Sequence, residues 1–125
     1  MRIFLAICCL LLASSALAEL PSGNQASIQA ALSSGRPTLV DFGARSCIPC
    51  KKMAPILEQL EKEYKGRANV IFIDVWQDNK IGGNYRVQMI PTQIFFDARG
   101  KETGRHIGFM DRQPIIDTLG KLGVK

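Results

Sequence analysis

Histidine and clustered basic residues are scarce in this sequence, and both absences restrict its function. The chain has one histidine. A cysteine pair needs two further ligands to hold zinc, and the sequence contains no cluster of residues that could supply them. Its formal net charge is +5, yet the longest basic run is Lys51-Lys52. A nucleic-acid surface usually shows clustered basic residues. The sequence therefore disfavours a zinc site and predicts no nucleic-acid partner.

The longest apolar run lies at the N-terminus, where Ile3 to Leu12 follow Arg2 and precede Ala16-Leu17-Ala18. A positive start, an apolar centre and a small-x-small end are typical of a signal peptide, predicted here as residues 1–18 with cleavage near Ala18. We therefore expect a periplasmic or secreted protein. An uncleaved membrane anchor is the alternative, although the run is shorter than the roughly 20 residues of a spanning helix. Residues 19–125 contain no repeat or internal linker and suit one compact domain.

Cysteine is confined to the predicted signal peptide and to one short motif. Removal of the signal leaves Cys47 and Cys50, so no structural disulfide can form elsewhere in the chain. Outside the cytoplasm such a dithiol meets oxidising conditions, and it stays reduced only if another molecule supplies electrons.

The motif Cys47-Ile48-Pro49-Cys50 lies between the apolar run Thr38–Ala44 and a helix-patterned stretch. This order places a thiol pair where a helix begins. The unpaired N–H groups and the positive end of the helix dipole favour an anion there, so a thiolate forms more easily than in water. The second thiol is about one helical turn away, close enough to close a disulfide. Redox chemistry is therefore the leading hypothesis.

Hydrophobic periodicity predicts four helices and four strands in the order αβαβαββα. The helices are Ser22–Leu32 with Ser22 as a possible cap, Pro49 to Gly66, Asn79–Arg86 and Asp111 to Leu122; the strands are Thr38–Ala44, Asn69–Val75, Pro91–Asp97 and Thr103–Phe109. Strands that alternate with helices predict a parallel core sheet, to which the last two strands add an antiparallel hairpin. Helices should cover both faces of the sheet, so the predicted fold class is α/β.

Over residues 19–125 the chain resembles the thioredoxin family. The resemblance is carried by Val40-Asp41-Phe42, the Cys-x-Pro-Cys-Lys segment from Cys47 to Lys51, Pro55, Ile90-Pro91-Thr92 and Gly108. It implies the thioredoxin fold, a central mixed sheet of four to five strands flanked by helices on both faces. Pro91 stands 41 residues after Cys50. This interval matches the small reductase-like members and leaves no room for the helical insertion of the periplasmic disulfide-generating oxidases.

The resemblance implies a thiol-disulfide oxidoreductase that works through Cys47 and Cys50. Cys47, the better exposed of the two, is then the attacking thiolate that forms a mixed disulfide with a substrate protein, and Cys50 resolves it. Asp41 lies in an apolar run, where desolvation should raise its pKa. By resemblance Asp41 is a buried acid that relays a proton to or from Cys50 through water. A structural hydrogen bond at a strand end is the alternative role for this residue.

Pro91 resembles the cis-proline that faces the dithiol in this fold, with a trans-proline opening a strand as the alternative. Its ring blocks the approach of a metal to the sulfurs, and the extended Ile90 backbone can pair with a substrate strand. Together with Ile48 and Pro49, these residues form the predicted substrate-binding surface. Pro49 also limits the backbone freedom of the loop. Met89 fits either an apolar substrate groove or the core.

Four residues depart from the usual thioredoxin pattern. Ser46 replaces a tryptophan and Gly43 replaces an aromatic residue, so the surface around the dithiol is expected to be more open and less apolar. Ile48 replaces the usual glycine in the dipeptide that is a main determinant of redox potential. Phe72 stands where a lysine usually partners the buried acid, which should leave that acid harder to ionise.

Trp76 is predicted to pack in the interior, with a lid over the active-site edge as the alternative.

The combined prediction is a monomeric reductase of protein disulfides outside the cytoplasm, without cofactor or metal, supplied by a membrane thiol-disulfide electron donor. A disulfide oxidase or isomerase is one alternative, and a measured redox potential separates it from the reductase. A module that carries copper or zinc on the two thiolates is another. That module would purify with stoichiometric metal and would not reduce insulin.

Overall fold

The computed structural model describes residues 19–125, so the predicted signal peptide, residues 1–18, lies outside the described residues. The elements are α1 (Gln25–Leu32), β1 (Thr38–Gly43), α2 (Ile48–Glu63), β2 (Asn69–Asp74), α3 (Asn79–Asn84), β3 (Thr92–Phe96), β4 (Glu102–Ile107) and α4 (Arg112–Lys121). The predicted order of helices and strands is confirmed. Within residues 19–125, no helix combines the length and apolarity needed to cross a membrane.

The four strands form one mixed sheet in the order β2-β1-β3-β4. The β1 strand pairs in parallel with β2 and antiparallel with β3, and β4 extends the sheet antiparallel to β3. The α/β class and the mixed sheet are therefore confirmed, with four strands among the described residues. Among these four strands, β1 and β2 are the parallel pair, because β3 enters the sheet in the opposite direction.

An apolar core fills each face of the sheet because successive strand residues point to opposite sides. On the first face, Leu39 of β1 packs with residues of α2 and α4, among them Met53, Leu57, Ile115 and Leu119. On the second face, Val40 and Phe42 pack with residues of α1 and α3, among them Ile28 and Ile81. Helices therefore cover both faces, as predicted. Asp41 shares the first face with Leu39.

The segment before α1 differs from its prediction. Asn24, not Ser22, caps the helix, and its Oδ1 accepts a hydrogen bond of 2.9 Å from the Ser27 backbone N–H in a capping box. Ser22 instead makes a parallel bridge with Phe72, and its hydroxyl oxygen accepts from the Asp74 backbone N–H at 2.9 Å. The segment therefore covers part of the outer edge of β2, and this pairing excludes Ser22 from the helix.

The two ends of the described chain lie at opposite ends of α2. Near the start of α2, Arg45 forms an ion pair of 3.1 Å with Glu19. Beyond its last turn, the Arg67 side chain donates a hydrogen bond to the backbone oxygen of Lys125. The 16 residues of α2 span about 24 Å at the rise of an α-helix.

Two glycines should respond in opposite ways to alanine substitution. A Cβ at Gly83 in α3 would meet nothing within 4 Å, so Gly83→Ala should stabilise the protein by about 0.5–1 kcal/mol through helix propensity. Gly100 has φ +80°, and a Cβ there would lie 2.7 Å from the Leu32 carbonyl oxygen. Gly100→Ala should therefore destabilise it by about 1–3 kcal/mol. Urea unfolding of both variants measures the two effects, and equal effects would contradict the assigned backbone.

Candidate active site

The dithiol lies in the connection between β1 and α2. The Cys47 N–H donates to the Ala44 carbonyl at 3.3 Å, which closes a turn, and the Cys47 carbonyl accepts the first hydrogen bond of α2 from Lys51 at 2.9 Å. Cys47 is the N-cap, and its side chain makes no capping hydrogen bond within residues 19–125. Pro49 fits the first helical turn because no N–H is needed there. The N-terminal end of α2 therefore presents unpaired donors beside the Cys47 sulfur.

The two cysteines differ in exposure. They are joined as a disulfide with a Cα–Cα separation of 5.1 Å. Cys47 is half-buried, whereas Cys50 is 4% exposed. A molecule in solution therefore reaches Cys47 first, and Cys50 lies beneath it.

Gly43 provides the space that Cys50 occupies. A Cβ at Gly43 would lie 3.3 Å from both Cβ and Sγ of Cys50 and 3.3 Å from the Phe72 ring. Gly43 is buried, so its lack of a side chain brings the inner sulfur close to β1 and does not open the outer surface, contrary to the expectation from sequence.

Strand pairing brings Ile90 and Pro91 to the same end of the sheet as the dithiol. Thr92 pairs with Phe42, so the two residues before β3 lie beside the end of β1. The Ile90–Pro91 peptide bond is cis, and the Pro91 carbonyl accepts a hydrogen bond of 2.8 Å from Gly108. Within residues 19–125, the backbone N–H and C=O of Ile90 make no hydrogen bond. They are therefore available to an added strand.

Large apolar side chains are exposed at this end of the molecule. Trp76 follows β2, Met89 precedes Ile90, and Ile48 belongs to the motif itself; their exposed fractions are 58%, 63% and 73%. The prediction that Trp76 packs in the interior is therefore wrong, and Met89 belongs to the surface rather than the core. The surface at the dithiol end remains apolar even though Ser46 is exposed beside Cys47.

Asp41 is a completely buried acid on the face of β1 that α2 covers. Burial raises its pKa from the ordinary 3.8 to about 7, although the hydrogen bond that its Oδ1 accepts from Gln93 Nε2 at 2.9 Å lowers it. Gly43 follows two residues later on the same face, roughly 7 Å along the strand. Because the Cys50 sulfur lies against Gly43, the acid and the inner sulfur are on the same face of β1.

Comparison with known proteins identifies the family. The sequence model of the Thioredoxin family matches residues 21–121. The chain belongs to the thioredoxin family. Its membership and the Cys47–Cys50 disulfide make this protein a thiol-disulfide oxidoreductase. Over 83 residues it is 37% identical to thioredoxin from Staphylococcus aureus, an alignment that covers 66% of this chain and 79% of that protein.

Solved thioredoxin structures agree with the fold. Chloroplastic thioredoxin z superposes with a TM-score of 0.73 at 28% identity, covering 85% of this chain and 96% of that one. Thioredoxin from Fasciola hepatica superposes with a TM-score of 0.61 at 33% identity, covering 70% and 81% of the two chains.

In this thioredoxin-family chain the two strand neighbours of the buried acid are uncharged. Phe72 of β2 and Gln93 of β3 both pair with Asp41, one on each side. Arg45 stacks on Phe72, with its guanidinium carbon 4.4 Å from the ring centre. Burial and the Gln93 hydrogen bond are the causes of the shifted pKa of Asp41. The charge of Arg45 is not among these causes.

Sequence analysis missed three residues of this site. Gln93 interrupts an apolar strand, which was a visible signal, but its contact with Asp41 depends on strand register. Arg45 was not identified because nothing in the sequence shows that it covers Phe72. Asp74 accepts hydrogen bonds from the backbone N–H groups of Arg45 and Trp76, at 3.4 and 2.9 Å, and so joins two loops at the dithiol end.

Metal ligands do not gather in the part of the chain that the structure describes. No group of three or more histidine, cysteine, aspartate or glutamate side chains is placed to hold an ion within residues 19–125. The arrangement at the dithiol is suited to thiol-disulfide exchange.

Replacing Asp41 by asparagine should remove a pH-dependent loss of stability. A carboxyl whose pKa is 3.8 when unfolded and about 7 when folded binds more protons in the folded state, so the free energy of unfolding falls as pH rises between these values. The loss is on the order of 4 kcal/mol. Urea unfolding of the oxidised proteins at about pH 4 and about pH 8 should show a steeper decline for the wild type than for Asp41→Asn. Parallel declines would contradict the raised pKa.

Proposed function

We propose that this protein reduces disulfide bonds of other proteins outside the cytoplasm. The observation that carries the proposal is the unequal exposure of the dithiol at the start of α2, with Cys47 reachable from solvent and Cys50 buried. An exposed thiolate at a helix N-terminus is a good nucleophile, and a buried partner thiol is protected from competing reagents.

The reaction runs in two exchange steps. The Cys47 thiolate attacks one sulfur of a substrate disulfide, forms a mixed disulfide, and releases the other substrate sulfur as a thiolate. Cys50 then gives its thiol proton to the Asp41 carboxylate and attacks the Cys47 sulfur. The Cys47–Cys50 disulfide forms, the bond to the substrate breaks, and the second substrate sulfur leaves with its electron pair. Two electrons pass from the protein to the substrate, and solvent protonates the released thiolates.

The substrate is proposed to bind as an extended segment beside Ile90. The free backbone groups of Ile90 can pair with one residue of such a segment, and the cis-proline after it lies at the dithiol end of the sheet. Ile48, Trp76 and Met89 surround this position with exposed apolar surface. Unfolded or partly folded proteins present extended, apolar segments of this kind.

The location and the electron donor are proposed from the N-terminal sequence. Residues 1–18 have the composition of a signal peptide, which would place the dithiol in an oxidising compartment. Continued reduction there requires a donor, for which we propose a membrane thiol-disulfide protein. We propose that the enzyme acts as a monomer. It needs no organic cofactor or metal, because its own two sulfurs carry the electrons.

A Cys50→Ser variant should trap substrates. Cys47 can still attack a substrate disulfide, but the variant has no second thiol to release the adduct. Mixed disulfides should therefore accumulate when the variant is expressed in the native compartment, and non-reducing electrophoresis should detect them. Mass spectrometry of the adducts then identifies the substrates. Cys47→Ser is the matched control, and it should trap none. Equal trapping by both variants would contradict the assigned order of attack.

The redox potential should separate the reductase from its alternatives. Equilibration with glutathione or dithiothreitol should give a value near thioredoxin's, about −270 mV, whereas an oxidase would lie near −120 mV. Insulin reduction by the dithiol form is the accompanying activity assay. Purification with stoichiometric copper or zinc and no insulin reduction would instead indicate a metal-handling module.

A further inference from the structure

Gln93 is the polar side chain that contacts Asp41 within the described residues. Its Nε2 donates to Asp41 Oδ1 at 2.9 Å, and both side chains are completely buried. A buried amide costs free energy unless its hydrogen bonds are made, so glutamine is seldom fully buried. Because the two residues are direct partners across β1 and β3, strand pairing fixes the contact.

Two oxygen atoms of this pair remain without a hydrogen-bond partner among the described residues. They are Asp41 Oδ2 and Gln93 Oε1, and both are buried. When Asp41 is ionised both atoms are acceptors, so neither can satisfy the other. A proton on Oδ2 turns that atom into a donor. The amide N–H therefore favours the ionised carboxyl by holding Oδ1, and Oδ2 is left as the oxygen that can take up a proton.

Other ionisable groups border this face without setting the acid's proton affinity. They are Cys50 and Glu58 of α2, Tyr64 at its C-cap, Asp74 of β2, His106 of β4, and Arg45, which stacks on Phe72. The buried α4 residues are apolar. Burial and the Gln93 bond, not the charges of these groups, shift the pKa of Asp41. His106 lies opposite Gln93 on the side away from Asp41, so it has to be controlled for in any pH profile.

We propose that Gln93 is a positioning residue that orients the Asp41 carboxyl for proton exchange with Cys50. The inference rests on the proposed function, because it assigns Gln93 to the resolution of the mixed disulfide. In that step the Cys50 proton moves to Asp41 while the Cys50 sulfur displaces the substrate sulfur from Cys47. Gln93 holds Oδ1 on the β3 side and leaves Oδ2 to receive the proton.

Gln93→Met tests the proposal because methionine keeps the length of the side chain and removes both polar atoms. Loss of the donated hydrogen bond should raise the titration midpoint of Asp41, measured by carbon-13 NMR of the oxidised protein, by about one pH unit. The pH profile of substrate release from a preformed mixed disulfide should move by the same amount. Release should then be about fivefold slower than wild type at pH 7 and close to wild type near pH 9.

Two control variants separate this effect from general perturbation. Ile94→Met places the same side chain on the opposite face of β3, and His106→Gln removes the histidine beside Gln93. Both should leave the Asp41 midpoint unchanged. An unchanged or lowered midpoint in Gln93→Met would overturn the proposal even if the protein reduces disulfides. Absence of disulfide reduction in the wild type would instead refute the proposed function, and the NMR midpoint would still test the role of Gln93.

The native protein offers a second test if Gln93→Met does not fold. The side-chain amide signals of Gln93, followed by nitrogen-15 NMR, should titrate with the same midpoint as the Asp41 carboxyl. This dependence should disappear in Asp41→Asn. Amide signals that do not respond to the ionisation of Asp41 would overturn the proposal.

Discussion

The pairing of β1 with a neighbour on each side is the constraint on which the site depends. Its parallel partner β2 and its antiparallel partner β3 bring three loops to one end of the sheet. One loop contains Cys47, another contains Trp76, and the third contains the cis-proline. Beneath them, β1 itself provides the buried acid. A shift of β1 by one residue would move Asp41 to the opposite face and separate it from Cys50.

The electrostatics of the site are those of a carboxyl in an apolar environment with one neutral partner. Arg45 stacks on the Phe72 ring and forms its ion pair with Glu19, not with the acid. Burial alone would favour the protonated form of Asp41, and the amide of Gln93 moderates this preference. The two effects together leave the pKa of the acid at about 7, a value that suits the proton exchange we propose for it.

Local patterns predicted much of this structure from the sequence. Hydrophobic periodicity and the turn residues were sufficient for the order of the elements, and the motif around Cys47 was sufficient to place the thiols at a helix N-terminus. Strand register was not predictable in this way, because it depends on contacts between distant segments. For that reason Gln93 was missed, and Ser22 was assigned to a helix although it pairs with β2. Trp76 was assigned to the interior because hydrophobicity alone does not reveal that Asp74 holds its loop at the surface.

The positions of Glu19 and Lys125, at the two ends of the described residues, affect where another molecule could be attached. Glu19 is held by Arg45 two residues from Cys47, while Lys125 meets Arg67 beyond the far end of α2. A fusion partner or affinity tag joined ahead of Glu19 would therefore emerge beside the sulfurs and crowd the approach of a large protein substrate. A molecule attached at Lys125 would leave that approach open, so Lys125 is a suitable point for immobilising the protein.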